Sequence, residues 1–118
     1  MSDKQTKKLI RKYFRWWTHW LGLRYGKLDM RFMEFIKDAT GPDVAAVCHT
    51  DWRYQKTTIE FALHILREMN KKKIEEVVVH ELMHIFLNEM REKGTHHEEH
   101  VATCLTNAFM WVKEGASK

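Results

Sequence analysis

The chain has 118 residues, 44% of them hydrophobic and 31% charged, with a formal net charge of +4. That length reads as a single domain, residues 1–118, and five Trp and six Phe supply material for a real core. One Pro and five Gly argue against a long linker, two Cys exclude a disulfide framework, and no apolar run reaches the roughly 18 residues of a membrane span. The start, MSDKQTKK, has no apolar signal core. The expectation is a cytoplasmic protein with reduced thiols at Cys48 and Cys104.

Charge is unevenly spread. Residues 1–27 hold eight Lys/Arg and one acid, a net +7, and residues 28–118 hold twelve Lys/Arg and fifteen acids, a net −3. The basic part coincides with the first predicted helix, Lys4 to Leu21. Leu9, Ile10, Tyr13, Phe14, Trp17, Trp20 and Leu21 form its apolar stripe at helical spacing. Lys7, Lys8, Arg11, Lys12 and Arg15 lie on the other side, and Gly22 and Gly26 bracket its exit. Packing of the aromatic stripe on the core is the plain reading. A contact of residues 4–21 with nucleic acid, with a membrane surface or with an acidic partner is the sharper one. No helix-turn-helix or comparable DNA-reading motif accompanies it.

Leu28 to Ile36 alternates as a strand over Leu28, Met30 and Phe32, and the alternation blurs at Met33–Phe35. Thr40-Gly41-Pro42-Asp43 is a turn signal. Val44 to Trp52 is rich in strand formers. Thr57, Ile59, Phe61, Leu63 and Ile65 alternate with Thr58, Glu60, Ala62 and His64, the cleanest strand pattern in the chain. The break at Trp52–Gln55 predicts a hairpin between these last two strands. Asn70 can cap a helix running to about Arg91, with Glu75 and Glu76 in its early turns, where the helix dipole favours acids. Gly94 would stop it. A last helix then runs from Thr95 or His96 to about Lys113, with Val101, Leu105, Ala108, Phe109 and Val112 as its apolar stripe. The fold class is α+β: an N-terminal helix, a small, mostly antiparallel sheet of about three strands, a buried central helix and a C-terminal helix.

The central helix carries the chemistry. Val77 to Leu87 reads VVVHELMHIFL, in which only His80, Glu81 and His84 are polar. A helix apolar on all sides is a buried helix. An unsatisfied buried polar group costs about 1–3 kcal/mol, so this trio needs partners. His80 and His84, at i and i+4, stand one above the other and can both reach one Zn²⁺ at about 2.0–2.1 Å. Glu81 lies beside that face, placed to deprotonate a water without being a ligand. This is the H-E-x-x-H pattern of zinc hydrolases. The alternative is a pair of core histidines satisfied by local hydrogen bonds.

A catalytic zinc needs three protein ligands and an open position. His96, His97, Glu98, Glu99 and His100 follow within reach, if the last helix folds back on the central one around Gly94. On chemistry alone all five are candidates. The chain lacks H-E-x-x-H-x-x-G-x-x-H, which excludes the metzincin arrangement. His96-x-x-Glu99-His100 matches the inverted motif H-x-x-E-H, but only Glu114 remains downstream as a further ligand.

A strand-rich first half, an H-E-x-x-H helix and a nearby helix opening with E-x-x-A resemble the gluzincins, zinc metallopeptidases whose third ligand is a Glu on a following helix. The small size is similar to minimal gluzincins, to small phage- or prophage-encoded metallopeptidases and to the protease core of the ImmA/IrrE regulators. The resemblance covers roughly residues 28–112. In that family the ligand Glu is followed at i+3 by a small residue and at i+4 by a short polar one. Glu99, with Ala102 and Thr103, fits that register and Glu98 fits it less well. Helical phase points the other way, since Glu98 shares its stripe with Val101, Ala102, Leu105 and Phe109. His80, His84 and Glu99 are thus the implied ligands, with Glu98 and His100 as alternatives. Thr103 stands where larger gluzincins carry an Asp that orients a ligand His.

The implied activity is hydrolysis of peptide bonds with one Zn²⁺ per chain and Glu81 as general base, on a peptide or protein substrate. His96, His97, His100 and Tyr54 are candidate donors to the oxyanion. The competing function is an inactive or structural-zinc domain that works as a binding module, with the basic N-terminal helix touching nucleic acid or a partner.

Overall fold

The structure is a computed structural model, and it describes residues 1–23, 27–36, 44–51, 56–87 and 95–116, without the side chains of 95–97 and 116. Within these are four helices and three strands: α1 (Asp3–Trp20), β1 (Lys27–Met33), β2 (Ala46–Asp51), β3 (Lys56–Ala62), α2 (Leu63–Leu66), α3 (Lys71–Phe86) and α4 (Thr95–Ala116). The α+β class is as expected from the sequence.

α1 is closed at both ends by local chemistry. Ser2 and Gln5 form a capping box: the Gln5 N–H donates to Ser2 Oγ at 3.2 Å and the Ser2 N–H donates to Gln5 Oε1 at 3.1 Å. At the other end Gly22 takes φ +63°, the left-handed conformation. The Leu23 N–H then donates to the Thr18 carbonyl at 2.9 Å and the Gly22 N–H to that of His19 at 3.1 Å, a Schellman motif. The fully buried face is Thr6, Ile10, Phe14 and Trp17. Trp20, read from the sequence as part of the stripe, is 51% exposed.

The strands form one sheet in the order β1-β3-β2. β2 runs antiparallel to β3, with Cys48 opposite Ile59, as the predicted hairpin requires. β1 runs parallel to β3, with Phe32 opposite Phe61, so the sheet is mixed, one pair of each kind, rather than mostly antiparallel. Along β3, Thr57, Ile59 and Phe61 are wholly buried, as the alternation required. The strand stops at Ala62, however, and 63–66 wind into α2. Leu63 and Leu66 are both buried, at a spacing of three. Leu63 continues the alternation with Ile65 and equally begins a helical turn with Leu66, and here the turn wins.

α3 packs against α1, α4 and β2. Asn70 caps it as expected, its side chain accepting from the Lys73 N–H at 2.9 Å. Ile74, Val78, Val79, Leu82, Met83 and Ile85 are buried and join Ile10, Phe14, Trp17, Ile59 and Phe61 in the core. The α helix ends at Phe86. Its expected run to Arg91, the Gly94 stop, Gly26, the turn at Thr40–Asp43 and the hairpin residues Trp52–Gln55 lie outside the described residues.

On α4 the buried stripe is Glu98, Ala102, Thr106 and Met110, spaced by four. This is rotated from the expected one: Val101, Leu105 and Phe109 are half-buried, and Val112 is 48% exposed. Two polar residues take core positions because each has a partner: Thr106 Oγ1 donates to the Ala102 carbonyl at 2.7 Å, and Glu98 faces His84.

Glu75, read only as an acid near a helix N-terminus, is buried between helices. It accepts from the Trp17 indole N–H at 2.7 Å and from Lys113 Nζ. Lys113 Nζ also lies 4.3 Å from the Trp16 ring centroid and 5.5 Å from that of Tyr13. The cluster ties α1, α3 and the far end of α4 together.

Candidate metal centre

One turn of α3 sets His80 above His84, with ring centroids 4.9 Å apart and planes at 76°. Their Nε2 atoms are 3.2 Å from each other. Glu99 faces both: its Oε1 is 2.9 Å from His84 Nε2 and its Oε2 is 3.2 Å from His80 Nε2. Two ligands on one tetrahedral ion with bonds of 2.0–2.1 Å are about 3.3 Å apart. All three separations are close to that value, so the donor set fits a tetrahedral ion such as zinc.

The far side of His84 is held as well. Nδ1 lies 2.7 Å from Glu98 Oε1, and the two side chains are 6% and 1% exposed. An ionised carboxylate can only accept, so Nδ1 donates to Glu98, and Nε2, which faces His80 and Glu99, is the nitrogen left to ligate a metal in place of a proton. Successive residues on a helix are about 100° apart. Glu98 and Glu99 therefore reach opposite nitrogens of the same ring. Helical phase turns Glu98 inward to Nδ1, while Glu99 lies at the Nε2 atoms of both histidines.

Burial lowers the pKa of His80, the nearby His84 pushes in the same direction, and Glu99 pulls against both. A neutral imidazole is the form that can ligate a metal. Glu81 is buried and borders the same face, and one carboxylate oxygen lies within 4.8 Å of the His80 and His84 ligand atoms.

A cleft of about 350 Å³ opens against His80 and Glu81. Val77, Lys73 and Glu76 of α3 line it, with Ala45 and Ala46 at the start of β2 and Thr103, Thr106 and Asn107 of α4. β2 is an outer strand of the sheet, so a sheet edge borders the cleft. Thr103 lines the cleft, and the carboxylate that meets His84 Nδ1 is that of Glu98.

Of the remaining candidates, only His100 has a described side chain. His100 is exposed and its Nε2 is 3.7 Å from Cys104 Sγ, one turn further along α4. The side chains of His96 and His97 and the whole of Tyr54 lie outside the described residues. Sequence reasoning missed the role of Glu98 as a support for His84, although its helical phase was the available signal.

An α+β domain with paired histidines, a neighbouring carboxylate and an adjoining cleft has the make-up of a zinc metallopeptidase-like protein. The chain belongs to the SprT-like family, a family of that kind, whose pattern matches residues 14–110. Comparison with curated proteins and with solved structures found no match. No helix among the described residues is long and apolar enough to cross a membrane.

Proposed function

We propose that the chain is a zinc-dependent metallopeptidase of gluzincin type. One Zn²⁺ would be held by His80, His84 and the Glu99 carboxylate. The observation that carries this is the meeting of those three groups at 2.9–3.2 Å beside a cleft that also reaches Glu81. When bound, zinc supplies Lewis acidity, polarising a carbonyl and bringing the pKa of a coordinated water to about 7.

The chain's own residues do the rest. Glu98 fixes the tautomer of His84. Glu81 takes the proton of the attacking water and passes it to the leaving amine, which is general base and then general acid catalysis. The outer edge of β2, with Ala45 and Ala46 at the cleft, offers backbone groups with which an extended peptide can pair as an added strand. The cleft against His80 and Glu81 supports a catalytic zinc over a structural one, since a structural site is closed by four protein ligands.

The test is hydrolysis of an unfolded protein such as casein by the zinc-loaded chain, beside Glu81→Gln. Cleavage by wild type that Glu81→Gln abolishes while still holding zinc supports the proposal. Equal cleavage by both would contradict it.

A further inference from the structure

We propose that the outward face of α4, from Val101 to Val112, is a docking surface for a second copy of this chain, which packs on it helix against helix in antiparallel sense. These 12 residues include no Asp, Glu, Lys or Arg. A surface helix normally carries charged or polar side chains on its solvent side. On α4 the core side is Glu98, Ala102, Thr106 and Met110, and Thr103 and Asn107 line the metal cleft. The side away from the core is apolar. Val101, Cys104, Leu105, Ala108, Trp111 and Val112 take positions a, d and e of two successive heptads, the pattern of a helix that packs on another helix. Val101 and Leu105 are half-buried, and the other four are exposed. Trp111, at 76%, is the most exposed large apolar side chain among the described residues. Most of the stripe that periodicity assigns to the core is thus on the outside.

The stripe fits itself. It holds no charge, so a like surface meets no repulsion within the contact. The charges that follow it are engaged within the chain, Lys113 Nζ with Glu75 and Glu114 with Lys72 at 3.0 Å. Ala108 stands at its centre, where a small side chain lets two helix axes come to the close end of their usual range of about 8–10 Å. With a two-fold axis there, each Trp111 faces the partner's Leu105 and each Val112 faces the partner's Cys104. The same contacts form twice, as an isologous interface requires.

The area sets the strength. Trp20 of α1 meets the edge of the stripe through Phe109, with ring centroids 6.4 Å apart. An indole buries about 150–250 Å², so Trp111 and Trp20 at their present exposures offer roughly 200–300 Å² between them. The helix from Val101 to Val112 adds a strip about 18 Å long and about 10 Å wide. The sum, roughly 400–500 Å² per copy, is below the about 800 Å² per partner of a standard stable interface. It suits a dimer that exchanges with monomer. Thr103 and Asn107 each precede a residue of the stripe, so the partner helix would stand along the rim of the metal cleft. The stripe shares no residue with that cleft, so dimerisation and peptide hydrolysis can each fail alone.

The experiment is sedimentation equilibrium of the full chain from about 5 to 500 µM, the range in which a small interface forms and dissociates. We expect the average mass to rise from that of one chain toward that of two and to level there. Added NaCl should leave the association unchanged or strengthen it, because the contact holds no ion pair and the two chains each carry a net charge of +4. Trp111→Glu puts a charge into the contact from both copies, and Ala108→Arg holds the helices apart. Each should raise the dissociation constant at least about ten-fold. Both positions are exposed in the single chain, so urea midpoints at low concentration should match wild type. Phe86→Gln removes a ring 52% exposed on α3 and should change the constant by less than about two-fold. A chain that stays monomeric at the highest concentration would overturn the proposal and leave the face to a partner of another kind. So would a dimer that Trp111→Glu and Ala108→Arg leave intact, one that Phe86→Gln weakens as much, or one that salt dissolves. Association that continues past two chains would overturn it as well, since an isologous contact closes at two.

Discussion

His84 Nδ1 and Glu98 Oε1 are 2.7 Å apart, and both side chains are buried. This pair lies behind the proposed metal site and fixes the way His84 faces it. Glu98→Ala should weaken zinc binding by about 10–100-fold while leaving one site per chain at saturation. Glu99→Ala should cost more, because it removes a ligand. Competition with a chromophoric chelator measures both. If Glu99→Ala holds zinc as wild type does and His96→Ala or His97→Ala does not, the third ligand is in that pair.

Acid should weaken the metal-free fold through His80. Burial lowers its pKa in the folded chain, so the unfolded chain takes up the proton first as pH falls. The associated stability is complete above the unfolded value of about 6.5 and is lost as pH falls from there toward the lowered value. Urea midpoints of the metal-free protein should decline as pH falls below about 6.5, and His80→Asn should remove part of that decline.

Glu75 joins three helices. Glu75→Ala leaves the indole N–H of Trp17, a residue with no exposed surface, without its acceptor. The expected cost is about 1–3 kcal/mol in urea unfolding. Glu75→Gln keeps an acceptor for Trp17 and should cost less. Lys113 is a quarter exposed, so its ammonium can turn to water in either variant.

Gly22 ends α1 at φ +63° with open space where a Cβ would stand. Gly22→Ala should therefore cost about 1–2 kcal/mol from backbone strain alone, and Gly22→Asn less. Thermal unfolding of the pair separates strain from any steric effect.

What could be read beforehand follows the strength of local signals. Asn70, the Gly22 exit, the alternation at 57–61 and the two histidines at i and i+4 each depend on near neighbours in the chain, and each is where it was expected. The end of β3 was hidden because Leu63 fits a strand and a helical turn equally. The phase of α4 was obscured because two of its buried positions are Glu98 and Thr106, polar residues whose partners come from folding. The parallel pairing of β1 is a choice between sheet edges, and no residue in β1 encodes it. Glu75 looked like a helix-dipole acid, since its partners Trp17 and Lys113 are 58 and 38 residues away.

The measurement that tests the central claim most directly is the metal content of the purified chain by elemental mass spectrometry, beside His84→Ala. About one zinc per chain, lost in the variant, is the result predicted here for a three-ligand site. A chain that holds no zinc even after zinc is added back would contradict it. His80, His84, Glu98 and Glu99 would then be a hydrogen-bonded polar cluster and nothing more.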